Sequence, residues 1–253
     1  MKRYFSTFGK VESLDQAAEE YFSQKRDYED DVVLYFSSIK DWAPLSVGVS
    51  MSIVKTFLME NDIEFTQRFW KSLLRKKKGN RALTQDRVPS LEELRGILSQ
   101  LPLNGRALFL TLASSGMRIG ETLQLKIRDF DFTKDPTHIH IRGDYTKTGN
   151  PRLAFISSEA TECVREWLKV RSAWQNKYNL NDTGQVFPFK KSAPLMFNRA
   201  LSRTGLLEKD ESTGRYTIHP HVLRKFFRTR LATEMQVDII EALMGHARAV
   251  DSF

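Results

Sequence analysis

Apolar residues recur at three- and four-residue intervals through the first part of the chain, the spacing that lines one face of a helix. Ser13 and Gln16 stand as a reciprocal capping pair ahead of Leu14, Ala17, Ala18, Tyr21 and Phe22. Further stripes follow: Val32, Val33, Tyr35, Phe36 and Ile39; then Ile53, Val54, Phe57 and Leu58; then Phe65, Phe69, Trp70, Leu73 and Leu74. Four amphipathic helices of this kind bury their faces against one another, so the pattern predicts a small helical bundle over 1–80. Its aromatics fall on the apolar faces and are expected in the core rather than as stacking platforms for bases.

Apolar periodicity stops at Arg75-Lys76-Lys77-Lys78-Gly79-Asn80-Arg81, and Pro89 soon follows. A basic linker is predicted over 81–89, with a second domain over 90–253. Arg75, Lys76, Lys77, Lys78 and Arg81 form either a solvated turn or a strap for a polyanion such as DNA. Ser90 and Glu93 form a second capping box before Leu91, Leu94, Ile97, Leu98 and Leu101, and another helix runs through Leu108, Phe109 and Leu112 to Gly116.

The period then changes to two in His138-Ile139-His140-Ile141 and in Leu153-Ala154-Phe155-Ile156, around a turn-rich Thr146–Pro151. That predicts an antiparallel hairpin within a helical domain. Helical spacing resumes at Ala160, Val164, Trp167 and Leu168, again over Val222–Leu231, and finally over Ile239, Ile240, Leu243 and Met244. The fold class expected is mainly α with a small antiparallel β-sheet.

Composition narrows the function classes. Thirty-nine Lys and Arg against 31 Asp and Glu give a net charge of +8, which favours a polyanionic partner. A single cysteine, Cys163, excludes an intrachain disulfide and a cysteine-built zinc site, and suits a reducing cytoplasm. No apolar run approaches the roughly 20 residues needed to span a bilayer, so no membrane association is expected.

Three segments place cationic or imidazole groups at element boundaries: Gly116-Met117-Arg118-Ile119-Gly120-Glu121, His221-Val222-Leu223-Arg224 and Gly245-His246. Arg118 lies in a turn between apolar segments and needs an acceptor, either Glu121 or a ligand. His221 and Arg224 are three apart, so both project from one helix face, with Arg224 close to the buried side. His246 follows a glycine suited to ending a helix, and could be a simple C-terminal cap.

In this order and wording the segments resemble the tyrosine recombinase and integrase family, which includes the Xer-type and phage- or plasmid-encoded integrases. The resemblance is strongest from Val88 to His246, and the preceding helices resemble that family's core-binding domain. It implies an α+β catalytic domain after a helical DNA-binding one. It also implies a metal-free, cofactor-free transfer in which a tyrosine hydroxyl attacks a DNA phosphate, leaving a 3′-phosphotyrosyl linkage and a free 5′-hydroxyl. Arg118 and Arg224 would hold the nonbridging oxygens, with Glu121 in support. His221 would assist proton transfer, His246 would donate to the phosphate, and Lys147, in the turn-rich segment, would protonate the leaving oxygen. The implied partner is double-stranded DNA carrying a specific recombination site, bound by a homotetramer on paired sites.

One departure stands out. The family nucleophile is expected about two helical turns beyond the Gly-His histidine, yet none of the seven tyrosines follows His246. Either the nucleophile lies beyond Phe253 or Phe253 stands in its place; the first is expected, because a whole protein rarely ends inside its catalytic helix. The 253 residues are then expected to bind DNA, as a monomer, without cleaving it. The alternatives are a noncatalytic sequence-specific DNA-binding relative and an enzyme resembling type IB topoisomerases. Retention of all five candidate groups argues against the former, since binding alone needs only generic cations.

Overall fold

A computed structural model describes residues 1–77, 79 and 84–246. The chain forms two units, Met1–Gln85 with Glu211–Thr213 and Asp86–Asp210 with Gly214–Phe253.

The first unit is helical: α1 (Lys2–Phe5), α2 (Leu14–Ser23), α3 (Tyr28–Ile39), α4 (Pro44–Met59) and α5 (Gln67–Arg75). The predicted stripes form its core, with Tyr21, Val32, Tyr35, Phe36, Ile39, Val54, Leu58, Trp70 and Leu73 buried. Each such side chain contributes about 1.5–3 kcal/mol on leaving water. The expected Ser13–Gln16 capping box does not form: Ser13 is the N-cap of α2 but makes no side-chain bond to it. That end is open to water, with Leu14 47% exposed, so solvent serves the free amides. Asp27 and Thr66 instead cap α3 and α5, accepting from Glu29 N and Phe69 N. Helix α1 was missed because four residues hold no period; Tyr4 reaches the core by bonding Tyr21 at 2.6 Å.

The second unit contains α6 (Leu91–Ser99), α7 (Leu103–Ser115), α8 (Ile119–Thr122), β1 (Phe130–Asp131), β2 (Thr137–Ile141), β3 (Arg152–Ile156), α9 (Ser158–Lys177), α10 (Ala193–Arg203), α11 (Val222–Leu231) and α12 (Val237–Met244). Asp86 and Arg87, expected in the linker, pair within this unit: Arg87 N bonds Thr217 O and Arg87 Nη2 bonds Glu93. The Ser90–Glu93 capping box forms in both directions. The three strands lie in the order β1-β2-β3, all antiparallel, with Ile139 opposite Ala154 and Ile141 opposite Arg152. The hairpin was legible; β1, two residues long, was not.

Helix α7 is the centre of the packing, covered by α9, α11 and β3. Ala107, Leu108, Phe109 and Leu112 are fully enclosed. Thr111 and Ser115, also buried, return their hydroxyls to Ala107 O and Thr111 O one turn back, so no polar group is stranded. Gly116 ends the helix in the left-handed conformation, φ 63°. A Cβ there would lie 2.3 Å from the Phe227 ring of α11. Only glycine meets both demands, and the chain turns there toward Arg118.

Gly116→Ala is expected to cost roughly 2–4 kcal/mol through the clash and the positive φ together. Gly120, whose Cβ would meet nothing within 4 Å, should accept alanine with no loss. Denaturant unfolding of the two variants beside the parent chain checks the contrast; equal effects would remove the packing argument.

Candidate active site

Three backbone ends meet at the C-terminal end of α7. Arg118 is the N-cap of α8, and Glu121 is its third residue. The Glu121 carboxylate is 2% exposed; it accepts from Arg118 N at 3.2 Å and from Arg118 Nη1 at 2.9 Å. Its second oxygen also accepts from Arg152 Nη2 at 2.6 Å. Burial pushes this carboxyl up, but the hydrogen bonds and charge of Arg152 and Arg118 outweigh it, and the group is held below the ordinary glutamate value. Glu121 is therefore an anion clamping two guanidiniums.

Arg224, in the first turn of α11, is 4% exposed. Its Nη1 donates to Gly116 O at 2.6 Å, and its Nη2 donates to Met244 O and lies 2.9 Å from His246 Nε2. Burial, then the positive charges of Arg118 and Arg152, push the guanidinium down to about 10, against the pull of Glu121 and Glu241. It remains a cation at neutral pH.

His246 follows Gly245, which ends α12 at φ 72°. A Cβ on Gly245 would lie 2.9 Å from the Arg152 side chain, so glycine lets strand β3 approach the helix end. His246 Nδ1 pairs with Glu241, whose other oxygen accepts from Arg228 Nε at 2.6 Å. The hydrogen bonds from His246 and Arg228 hold the Glu241 carboxyl below its usual value. With Nδ1 donating to Glu241, Nε2 is the acceptor facing Arg224. A hydrogen bond from His246 to a phosphate thus requires the imidazolium or a turn of the ring.

His221 is the N-cap residue of α11, exposed at one edge. Partial desolvation, then the charges of Arg224, His219 and Lys225, push its imidazole below the ordinary value. The His219 ring lies parallel to it, centroids 6.3 Å apart. His219 is itself fixed by Asp86, which also accepts from Lys225 at 2.6 Å.

Lys147 is exposed in the segment between β2 and β3, with no hydrogen bond or ion pair among the described residues. Its neighbours Thr148 and Asn150 line a small cleft with Arg152, Gly245 and His246, so that segment borders the cluster although the lysine is not joined to it. Arg75 closes α5 in the first unit, followed by Lys76 and Lys77. Lys78, Arg81 and Phe253 lie outside the described residues.

Sequence reasoning missed Arg152 and Glu241, and each had a signal. Arg152 is in phase with Ala154 and Ile156, the inward positions of β3, so alternation puts an arginine on a buried face. At Gly245 the chain reverses so that His246 N bonds Glu241 O at 3.0 Å, as a glycine helix stop of this type dictates. A histidine one residue past such a glycine necessarily sits beside the residue five before it.

Known proteins resemble the chain in sequence and in fold. A profile of the phage integrase family matches residues 81–250, more than half of the chain. Tyrosine recombinase XerC of Chromobacterium violaceum is 31% identical over 150 residues, covering 59% of this chain and 46% of that protein. XerC of Bacillus pumilus is 31% identical over 174 residues, covering 64% and 54%. The chain thus spans about half the length of the curated relatives it matches.

Among solved structures, the Tn1549 transposon integrase in complex with transposon right end DNA has a TM-score of 0.61 at 18% identity, covering 87% of this chain and 78% of that one. The XerH site-specific recombinase bound to its difH substrate has a TM-score of 0.59 at 20% identity, covering 91% and 69%. These likenesses establish a shared fold. With the family profile spanning the segments that carry Arg118, Arg224 and His246, the chain belongs to the phage integrase family of tyrosine recombinases.

Proposed function

We propose that this chain is the DNA-binding and catalytic part of a site-specific recombinase that cleaves and rejoins duplex DNA through a 3′-phosphotyrosyl intermediate. The observation that carries this is the charge at the end of α7. Among the described residues, Arg118, Arg152, Arg224 and Arg228 stand against two carboxylates, Glu121 and Glu241, in a partly buried setting. An excess of oriented guanidiniums there is costly unless an anion completes it, and a phosphodiester with two nonbridging oxygens matches their fork geometry.

Arg224 is fixed by two backbone carbonyls and Arg118 by Glu121, so their remaining N–H groups are oriented before the phosphate arrives. They stabilise the charge that develops on the pentacoordinate phosphorus. The lowered imidazole of His221 is neutral at physiological pH and can accept the proton of the attacking tyrosine hydroxyl. Lys147 supplies a proton to the departing 5′-oxygen from the neighbouring hairpin segment. The phosphate bond passes from the 5′-oxygen to the tyrosine oxygen and later back to a 5′-hydroxyl, so rejoining needs no external energy source. No residue of the 253 is assigned as the nucleophile, because no tyrosine follows His246.

The helical first unit and the cations Arg75, Lys76, Lys77, Lys78 and Arg81 add phosphate contacts, and the working assembly is a homotetramer on paired sites. Solved relatives captured with transposon-end DNA and with difH support DNA as the partner.

Duplex binding by the 253-residue chain is expected to weaken linearly in log salt, and Arg118→Ala should reduce the slope by about one. Fluorescence anisotropy over a salt series measures this; salt-independent affinity would sink the DNA clamp. The chain should form no covalent adduct on denaturing gels. In a version carrying a tyrosine beyond His246, an adduct should appear and be lost on Arg118→Ala or Arg224→Ala. Near-normal adduct from both variants would be incompatible with the assignment.

The depressed imidazole of His221 also has a pH consequence. A histidine whose folded value lies below its unfolded value of about 6.5 takes up its proton more readily when unfolded. Its neutral form should therefore favour the folded state above about pH 6.5, with that contribution lost as pH falls. Proton NMR titration should give His221 a midpoint below the ordinary imidazole value; a midpoint at or above it would contradict the partial burial and the neighbouring positive charges taken to hold it down.

A further inference from the structure

Helix α11 starts against its own dipole. Its first turn holds no acidic residue and carries Arg224 and Lys225, with His221 at the N-cap and no side-chain cap bond. Positive charge at a helix N-terminus is unfavourable, and an anion there is favourable. Asp86, at the opening of the second unit, supplies that anion from far along the chain.

Three contacts bring it there. Arg87 N donates to Thr217 O at 2.9 Å, which lays residues 86–87 alongside the segment entering α11. Asp86 Oδ2 accepts from Lys225 Nζ at 2.6 Å, and its Oδ1 lies 3.2 Å from His219 Nε2. Burial alone would raise the Asp86 carboxyl, but the hydrogen bonds and charge of Lys225 and His219 outweigh it and hold the group below the ordinary aspartate value. Asp86 is therefore an anion throughout the range in which imidazoles titrate.

His219 is where the helix begins. Its carbonyl accepts from Val222 N at 2.9 Å, and the next two carbonyls, of Pro220 and His221, accept from Leu223 N and Arg224 N. A ring tied down at 219 fixes the turn that carries His221, and the two imidazoles stand parallel. Lys225, tied to the same carboxylate, fixes that turn from the helix side.

We propose that Asp86 is a positioning residue for the reaction: by anchoring His219 and Lys225 it holds His221 where the imidazole takes the proton of the attacking hydroxyl. The inference rests on the role given to His221 above. Charge supports it as well as geometry. Desolvation, Arg224, His219 and Lys225 all push the His221 imidazole down, and Asp86 acts in the opposite direction. A base works best when its pKa lies near the operating pH, so a carboxylate that limits the depression keeps His221 a usable base beside its cationic neighbours. A plain structural ion pair is the alternative, yet Lys225 is exposed, and exposed pairs add little to stability.

Asp86→Asn keeps the size and an acceptor oxygen while removing the charge, and Asp86→Glu restores the charge. Both should leave thermal unfolding of the 253-residue chain nearly unchanged. In proton NMR titrations, with the His221 signal assigned by His221→Ala, the midpoint should fall in Asp86→Asn and return toward the parent value in Asp86→Glu. In the version carrying a tyrosine beyond His246, Asp86→Asn should slow adduct formation about threefold to tenfold at neutral pH and move the acid limb of its pH profile lower, the mark of a weaker base. Duplex affinity should not weaken, since a negative charge has been removed. An unchanged His221 midpoint would overturn the proposal, and so would loss of duplex affinity in step with the adduct, which would make Asp86 a support of the phosphate clamp. His221→Ala in the tyrosine-bearing version tests the underlying reading separately: if the acid limb persists there, the proton acceptor is another group and Asp86 has no base to position, whatever the midpoints show.

Discussion

The guanidinium of Arg224 joins the C-terminal ends of two helices, and the organisation of the second unit's site depends on that junction. Gly116 O and Met244 O stand where α7 and α12 stop, among the carbonyls a helix leaves without an intrahelical donor. They also lie at the negative ends of the two helix dipoles. A cation with several donors in one plane satisfies both carbonyls, while its own charge is offset by the dipoles. Leaving two buried acceptors unmade would cost about 1–3 kcal/mol each. Arg118 follows two residues after the first of these ends, and His246 two residues after the second, so the same contact that stabilises the fold brings the candidate site residues together.

Around this junction the carboxylates act as orienting groups. Glu121 is ionised despite its burial because Arg152 and Arg118 both donate to it. In so doing it ties the turn after α7 to strand β3. Glu241 does the same for α12 and α11, holding His246 on one side and Arg228 on the other. A buried ion pair is weak evidence for stability, since desolvation offsets its attraction. Its contribution here is geometric: donors fixed in advance need little reorganisation when charge appears on a ligand.

Much of this was legible in the sequence, for identifiable reasons. Helical stripes, the Ser90–Glu93 box, the stop at Gly116 and the hairpin all rest on local periodicity or on single residues with strong backbone preferences. Arg118, Arg224 and His246, spread over more than a hundred residues of sequence, do converge. Less legible were features decided by tertiary contact. Ser13 had the right spacing for a cap but sits at a wet helix end. Strand β1 is too short to show alternation, and α1 too short to show a stripe. Asp86 looked like linker until its partners Lys225 and His219, far along the chain, were in place. No local rule pairs residues separated so widely.

The contrast between the held and the unheld groups bears on how work divides in the proposed reaction. Groups that stabilise charge need fixed positions, and Arg224 and Arg118 have them through backbone carbonyls and Glu121. A group that delivers a proton to a leaving oxygen must follow that oxygen as the bond breaks, and Lys147 stands exposed on a turn with no hydrogen bond or ion pair among the described residues. Glycine at 149 and the close approach of Gly143 to Gly149 O shape that turn without engaging the lysine. His221 lies between these extremes, tethered at the start of α11 beside Arg224 yet exposed at one face. Rigid electrostatics built on helix ends, with proton transfer assigned to a hairpin and a helix start, is the division proposed for this transfer: groups fixed in advance stabilise charge, and groups free to follow the departing oxygen move the proton.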